Sequence, residues 1–178
     1  MDSNVSDLAS AGTAHSDEEH ATEFRRIDHI ALAVTDLEAA IVMFRDVLGF
    51  TLKRRHHIKG EKTGMLSAEL ELSGIKFVLC KGTEPGSQVS QLVEHYGVGV
   101  AHIAFEVDDV DETVMRLKER GLGFDTNVIR GAGLTQSFST RCETTGLSFE
   151  VIHRDGEEQF LDSNIQQLFE QLESSGKY

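Results

Sequence analysis

Two stretches of this chain repeat one another, and that repeat limits the fold more than any other feature of the sequence. The first copy is IDHIALAVTDLEAAIVMFRDVLGF (27–50) and the second is VAHIAFEVDDVDETVMRLKERGLGF (100–124). His29, Ile30, Ala31, Val34 and Asp36 fall in register with His102, Ile103, Ala104, Val107 and Asp109. Each copy opens with an apolar, β-branched run suited to a strand, 27–34 and 100–107. Asp36 and Asp109 then stand where a helix needs an N-cap, offering a carboxylate to free backbone N–H groups. Leu37, Ala40, Ile41, Phe44 and Leu48 recur at helical spacing, as do Val110, Val114 and Leu117. Gly49 and Gly121 supply the left-handed conformation that closes each helix.

Three further strands are expected after each helix. In the first copy they are 50–56, 65–72 and 76–81; in the second they are 123–129, 134–140 and 147–153. Each copy is thus β-α-β-β-β, and the fold class is α+β. Residues 88–96 read as a connecting helix, and 164–173 (NIQQLFEQLE) as a final helix whose Ile165, Leu168, Phe169 and Leu172 form an apolar stripe that packs on the domain. Residues 1–24 carry six acidic residues (Asp2, Asp7, Asp17, Glu18, Glu19 and Glu23), no Lys or Arg, and no apolar period, and read as a disordered tail. One domain over 25–178 remains, with module one at 26–85 and module two at 99–155.

Charge narrows the partners. The net charge is -13 over 178 residues, which repels phosphate backbones and anionic membranes, so neither nucleic acid nor membrane is an expected partner. No apolar run reaches the roughly eighteen residues of a membrane span. The first residues lack the basic start and apolar core of a signal peptide, and a cytoplasmic location is the default expectation. Cys80 and Cys142, far apart in the chain, read as reduced thiols rather than a disulfide.

Alternation along strands selects the chemistry. His29 shares a strand face with Ile27, Ala31 and Ala33, and His102 with Val100 and Ala104; small alanines leave room beside each imidazole. Glu150, in LSFEVI, is a carboxylate in an apolar strand, costly unless it is paired or ligates a metal. A lone strand histidine is more often a satisfied core residue than a ligand, but two at equivalent repeat positions together with such a carboxylate point to a metal site. The repeat places Val78 at the counterpart of Glu150, and valine cannot ligate. Two histidines and one carboxylate on one face of an octahedron leave adjacent positions open, the arrangement of non-haem Fe(II) oxygenases. No catalytic residue beyond these three ligands is expected. His56 and His57, among Lys53, Arg54 and Arg55, read as a solvated basic stretch; His95 reads as a helix-end residue; His153 is expected to point away from Glu150.

The paired HIA-x-x-V-x-D modules resemble the vicinal oxygen chelate (glyoxalase, bleomycin-resistance and dioxygenase) superfamily over residues 26–153. That resemblance implies two modules curved into an incomplete barrel around a metal. The ending, LTQSFSTR (134–141), LSFEVIHRDGEEQFLDSN (147–164) and QQLFEQLE, resembles the C-terminal half of the 4-hydroxyphenylpyruvate dioxygenase family. It implies Fe(II) on His29, His102 and Glu150, a small 2-oxo acid and dioxygen as reactants, and a closing C-terminal helix. It further implies substrate contacts from Ser67, Gln88, Gln136, Phe138, Phe160, Asn164 and Ile165. The chain departs from that family in having Ala101 for a glutamine, and Ser148 and Ile165 for aromatic residues. Two other functions suit the same fold: a metal-dependent epimerase or lyase, for which Glu69 or Glu71 would have to serve as base, and a non-catalytic small-molecule-binding protein. A homodimer is compatible with each.

Overall fold

The computed structural model describes residues 24–60, 62–131, 133–156 and Gln166. The expected tail, apart from Phe24, and the expected closing helix, apart from Gln166, lie outside the described residues. The elements run β1 (Arg26–Ala33), α1 (Leu37–Val42), β2 (Thr51–Lys59), β3 (Gly64–Leu72), β4 (Ile75–Gly82), α2 (Gln88–Tyr96), β5 (Gly99–Glu106), α3 (Val110–Glu119), β6 (Ile129–Gly131), β7 (Leu134–Phe138) and β8 (Ser148–Arg154). Eight strands form one mixed, curled sheet in the order β2-β3-β4-β1-β5-β8-β7-β6. The two modules meet where β1 pairs antiparallel with β5. Each module's first strand pairs parallel with its last, and the registers are equivalent: Ala31 lies opposite Val78, and Ala104 opposite Glu150. Val78 is therefore the structural counterpart of Glu150.

The local expectations hold at the helix starts. Asp36 accepts from the Ala39 N–H at 3.0 Å and Asp109 from the Glu112 N–H at 2.9 Å. The first helix does not continue regularly to Leu48, however; Met43–Val47 widens into a π-helical turn before Gly49 closes it at φ 82°. Helices α1 and α3 pack on the outer face of the sheet, whereas α2 borders the cavity with Gln88 and Leu92. Leu37 and Ile41 of α1 meet Phe50, Ala68, Leu70 and Leu79, while Val110 and Val114 of α3 meet Val107 and Val151. Alternation then sends the intervening residues of β3, β4 and β8 into the concave face.

Two strand expectations need correction. Residues 123–129 are not a strand; only Ile129–Gly131 is, with Phe124 in an isolated bridge to Ser139. Here the Thr126 hydroxyl, not a backbone carbonyl, accepts from the Phe138 N–H at 2.9 Å, so a side chain replaces the ladder. The second expected strand runs to Lys59 rather than ending at His56. Among the described residues no helix is long and apolar enough to cross a membrane.

Candidate metal centre

Two bulges at the β1–β5 seam shape the site. Pairing jumps from Ile27–Phe105 to His29–Ala104, which leaves Asp28 as an extra residue, and from Ala31–His102 to Leu32–Val100, which leaves Ala101. The repeat thus bulges immediately before each histidine. Simple alternation failed here: Ile27 and Val100 are exposed, whereas Asp28 is buried beside His29.

The bulges and β8 bring three donors together. His29 Nε2 lies 3.3 Å from His102 Nε2 and 3.3 Å from Glu150 Oε2, and His102 Nε2 lies 3.4 Å from the same oxygen. Two donors bonded at about 2.1 Å to one ion lie about 3.0 Å apart at a right angle and about 3.4 Å at the tetrahedral angle, so the triangle has the dimensions of one metal site. Glu150 is 1% exposed, and its other oxygen, Oε1, has no hydrogen-bond partner. A buried carboxylate with an orphaned oxygen fits a cation as its missing partner.

The electrostatics agree. Burial alone would lower the pKa of His29, but Glu150 and Asp28 outweigh it and raise the imidazole to about 9. Burial lowers that of His102 despite its contact with Glu150. Burial would raise Glu150, yet the two histidines hold it below the usual carboxylate range. The pocket thus attracts positive charge, and a proton is what it attracts in the absence of metal.

Asp28 is the functional residue the strand pattern did not reveal. Its Oδ1 accepts from His29 Nδ1 at 2.8 Å, which fixes the tautomer that presents Nε2 to a metal. Its carboxylate is in turn gripped by Arg154 through Nε at 2.8 Å and Nη2 at 2.9 Å. Burial, countered chiefly by Arg154 and His29, leaves Asp28 far below the ordinary carboxylate range. The only sequence signal was an ionisable residue in an apolar strand.

A cavity of about 160 Å³ opens in front of the triangle. Ser67, Gln88, Gln136 and Phe138, the described residues with an expected substrate contact, all line it. Gln136 is 2% exposed with an unpaired Oε1. Phe138 packs edge-on to His102 with ring centroids 5.1 Å apart. Phe160, Asn164 and Ile165 lie outside the described residues. His56 contradicts the expectation of a solvated basic stretch: Arg54, His56 and Ile58 share one face of β2, and His56 is buried against the cavity, hydrogen-bonded to Glu69. Glu69 faces inward, whereas Glu71 pairs with Lys53 at the surface. His153 turns to the Val107 carbonyl and Asp155, away from the triangle, and His95 donates to the Gln91 carbonyl at a helix end, both as expected. Cys80 and Cys142 are free thiols.

Comparison with known proteins agrees with this architecture. The chain is 25% identical over 183 residues to 4-hydroxyphenylpyruvate dioxygenase of Pseudomonas aeruginosa, an alignment covering 83% of this chain and 51% of that protein. It is 32% identical over 97 residues to an ethylmalonyl-CoA/methylmalonyl-CoA epimerase of Cereibacter sphaeroides, covering 54% of this chain and 71% of the relative. The fold superimposes on a mutant of 4-hydroxymandelate synthase from Streptomyces coelicolor with a TM-score of 0.75 and 24% identity, over 85% of this chain and 54% of that one. The chain spans about half the length of the dioxygenase it matches. Residues 26–145 match the model of the Glyoxalase/Bleomycin resistance protein/Dioxygenase superfamily, and the chain belongs to that superfamily.

Proposed function

We propose that this protein is a non-haem Fe(II)-dependent dioxygenase that oxidatively decarboxylates and hydroxylates a small 2-oxo acid. The observation that carries the reading is the inequivalence of Val78 and Glu150: the donor triangle is complete with three residues, and the position facing it from module one cannot ligate. Fe(II) held by His29, His102 and Glu150 would supply Lewis acidity and the electrons that dioxygen activation needs, with coordination positions left for a chelating acid. The chain's own residues do the rest. Asp28 holds His29 in its ligating tautomer, Val78 and Phe138 give the cavity apolar lining from either module, and Gln136 offers a buried amide to substrate.

The test is oxygen uptake by anaerobically purified, Fe(II)-loaded protein against a panel of 2-oxo acids. Oxygen consumption matched by carbon dioxide release is the expected result, and no uptake with any acid overturns the reading. The epimerase or lyase reading has one specific observation in its favour, the inward carboxylate of Glu69, which enolate chemistry could use as a base. Deuterium entry into a substrate C–H under anaerobic conditions would identify that chemistry. Binding without turnover in either assay would identify a non-catalytic binding protein.

A further inference from the structure

Ala101 and Ser148, two of the positions at which the chain departs from the 4-hydroxyphenylpyruvate dioxygenase family, line the cavity together with Arg141. The strand registers bring the three together. Phe138, the last residue of β7, lies opposite Glu150, and antiparallel pairing carries on past it, with the Cys142 N–H donating to the Leu147 carbonyl at 2.8 Å. Arg141 is thus level with Ser148, which lies opposite His102 on β5. From there Nη2 of Arg141 donates to the Ala101 carbonyl at 2.7 Å, one residue from a metal donor. The side chain crosses β8 at the level of Ser148 to reach it, and the small residues at 101 and 148 leave the room it occupies.

The guanidinium is held in place without being neutralised. Nη1 donates to the Gly146 carbonyl at 2.5 Å, and the Tyr96 ring centroid lies 5.0 Å from the guanidinium carbon. Among the described residues no carboxylate accepts a hydrogen bond from Arg141, and its buried Nε has no hydrogen-bond partner. Asp125, also on the cavity wall, accepts from the Thr140 hydroxyl at 2.7 Å and acts on Arg141 through its charge alone. Burial lowers the pKa of Arg141 by more than Tyr96 and Asp125 restore, whereas that of Arg154, equally subject to burial, is raised by its grip on Asp28. A fixed fork of donors with uncompensated charge on a cavity wall suits an anionic oxygen group, and its planar shape suits a carboxylate.

We propose that Arg141 receives a second carboxylate of the substrate, which is a short 2-oxo diacid with its oxo-acid end at the triangle and its other carboxylate on the guanidinium. This rests on the 2-oxo acid reading and narrows it. Two neutral imidazoles and one carboxylate leave a divalent metal net positive, and the Arg141 charge lies near enough to His102 to contribute to lowering the imidazole's pKa. The same end of the cavity thus presents two cationic centres. A monoanionic acid meets the first and leaves Arg141 with no carboxylate in contact.

The experiment measures dissociation constants by calorimetry on anaerobic, Fe(II)-loaded protein, with metal content determined alongside. The probes are two pairs matched in chain length, 2-oxoglutarate with 2-oxopentanoate and 2-oxoadipate with 2-oxohexanoate. The wild type is expected to bind at least one diacid about tenfold or more tightly than its matched monoacid. Arg141→Met, which keeps the stem and removes the charge, should bring that diacid down to the affinity of its monoacid. Arg141→Lys keeps a cation without the fork and should retain part of the preference, which separates lost charge from lost packing. Equal affinity within both pairs in the wild type overturns the proposal without recourse to any variant, and so does a preference that survives Arg141→Met. If no 2-oxo acid binds at all, the functional reading fails and this inference falls with it; if monoacids bind as tightly as diacids, only this inference falls.

Discussion

The two modules share a scaffold and divide the chemistry unequally. Module two supplies two of the three metal donors, His102 and Glu150, and module one supplies only His29. At the position equivalent to Glu150, module one has Val78; at the position equivalent to Asp28, module two has Ala101. Module one carries the buried Asp28, gripped by Arg154 from module two's last strand, and the His56–Glu69 pair. The lesson is that duplication fixed where strands and bulges lie, whereas substitutions at equivalent points made the two modules unequal in candidate metal donors.

Making the modules alike should have the largest effect. Val78→Glu places a carboxylate where module two has one, and it lies beside Glu69 on the neighbouring strand, so a cation would relieve the crowding of charge. Metal affinity should hold or rise, while oxygen consumption falls by about a hundredfold because an open coordination position is lost. Val78→Leu, which changes volume without adding a ligand atom, should keep most activity. Equal activity in the two variants would show that Val78 is not what leaves the metal open.

Removing the positioning asymmetry should matter less. Asp28→Asn keeps the shape but weakens the hold on His29 Nδ1, and metal affinity should drop about 10- to 100-fold by equilibrium titration.

The smallest effect distinguishes the histidines by protons. In the metal-free protein His29 is raised from 6.5 to about 9, so its stabilising contribution is fully present below pH 6.5 and is lost as pH rises through about 9. Metal binding needs neutral imidazole and must displace that proton, whereas His102, whose pKa is lowered, has none to give at neutral pH. Calorimetry at pH 7.5 in buffers of different ionisation enthalpy should therefore count about one proton released per metal. Two protons, or none, would mean the imidazoles are equivalent.

How much of this was legible follows from where the information lies. The repeat and its N-cap aspartates are local, periodic signals, and they gave the module order and the equivalence of His29 and His102. Glu150 was legible because a carboxylate in LSFEVI needs a partner. The bulges were not, since nothing in IDHIALA marks Asp28 as an inserted residue, and ideal alternation put Ile27 on the wrong face. Arg154 pairs with Asp28 across 126 positions of sequence, beyond any local pattern. His56 was hidden by its neighbours: the basic run suggested solvent, although its parity with Ile58 already pointed inward.

The central claim is that one divalent metal binds to His29, His102 and Glu150. Metal-stripped wild-type protein and Glu150→Ala, titrated anaerobically with Fe(II) or Co(II), test it most directly. One ion per wild-type chain, with affinity lost by at least about a hundredfold in the variant, is the expected result. A variant that binds as tightly as the wild type would contradict it.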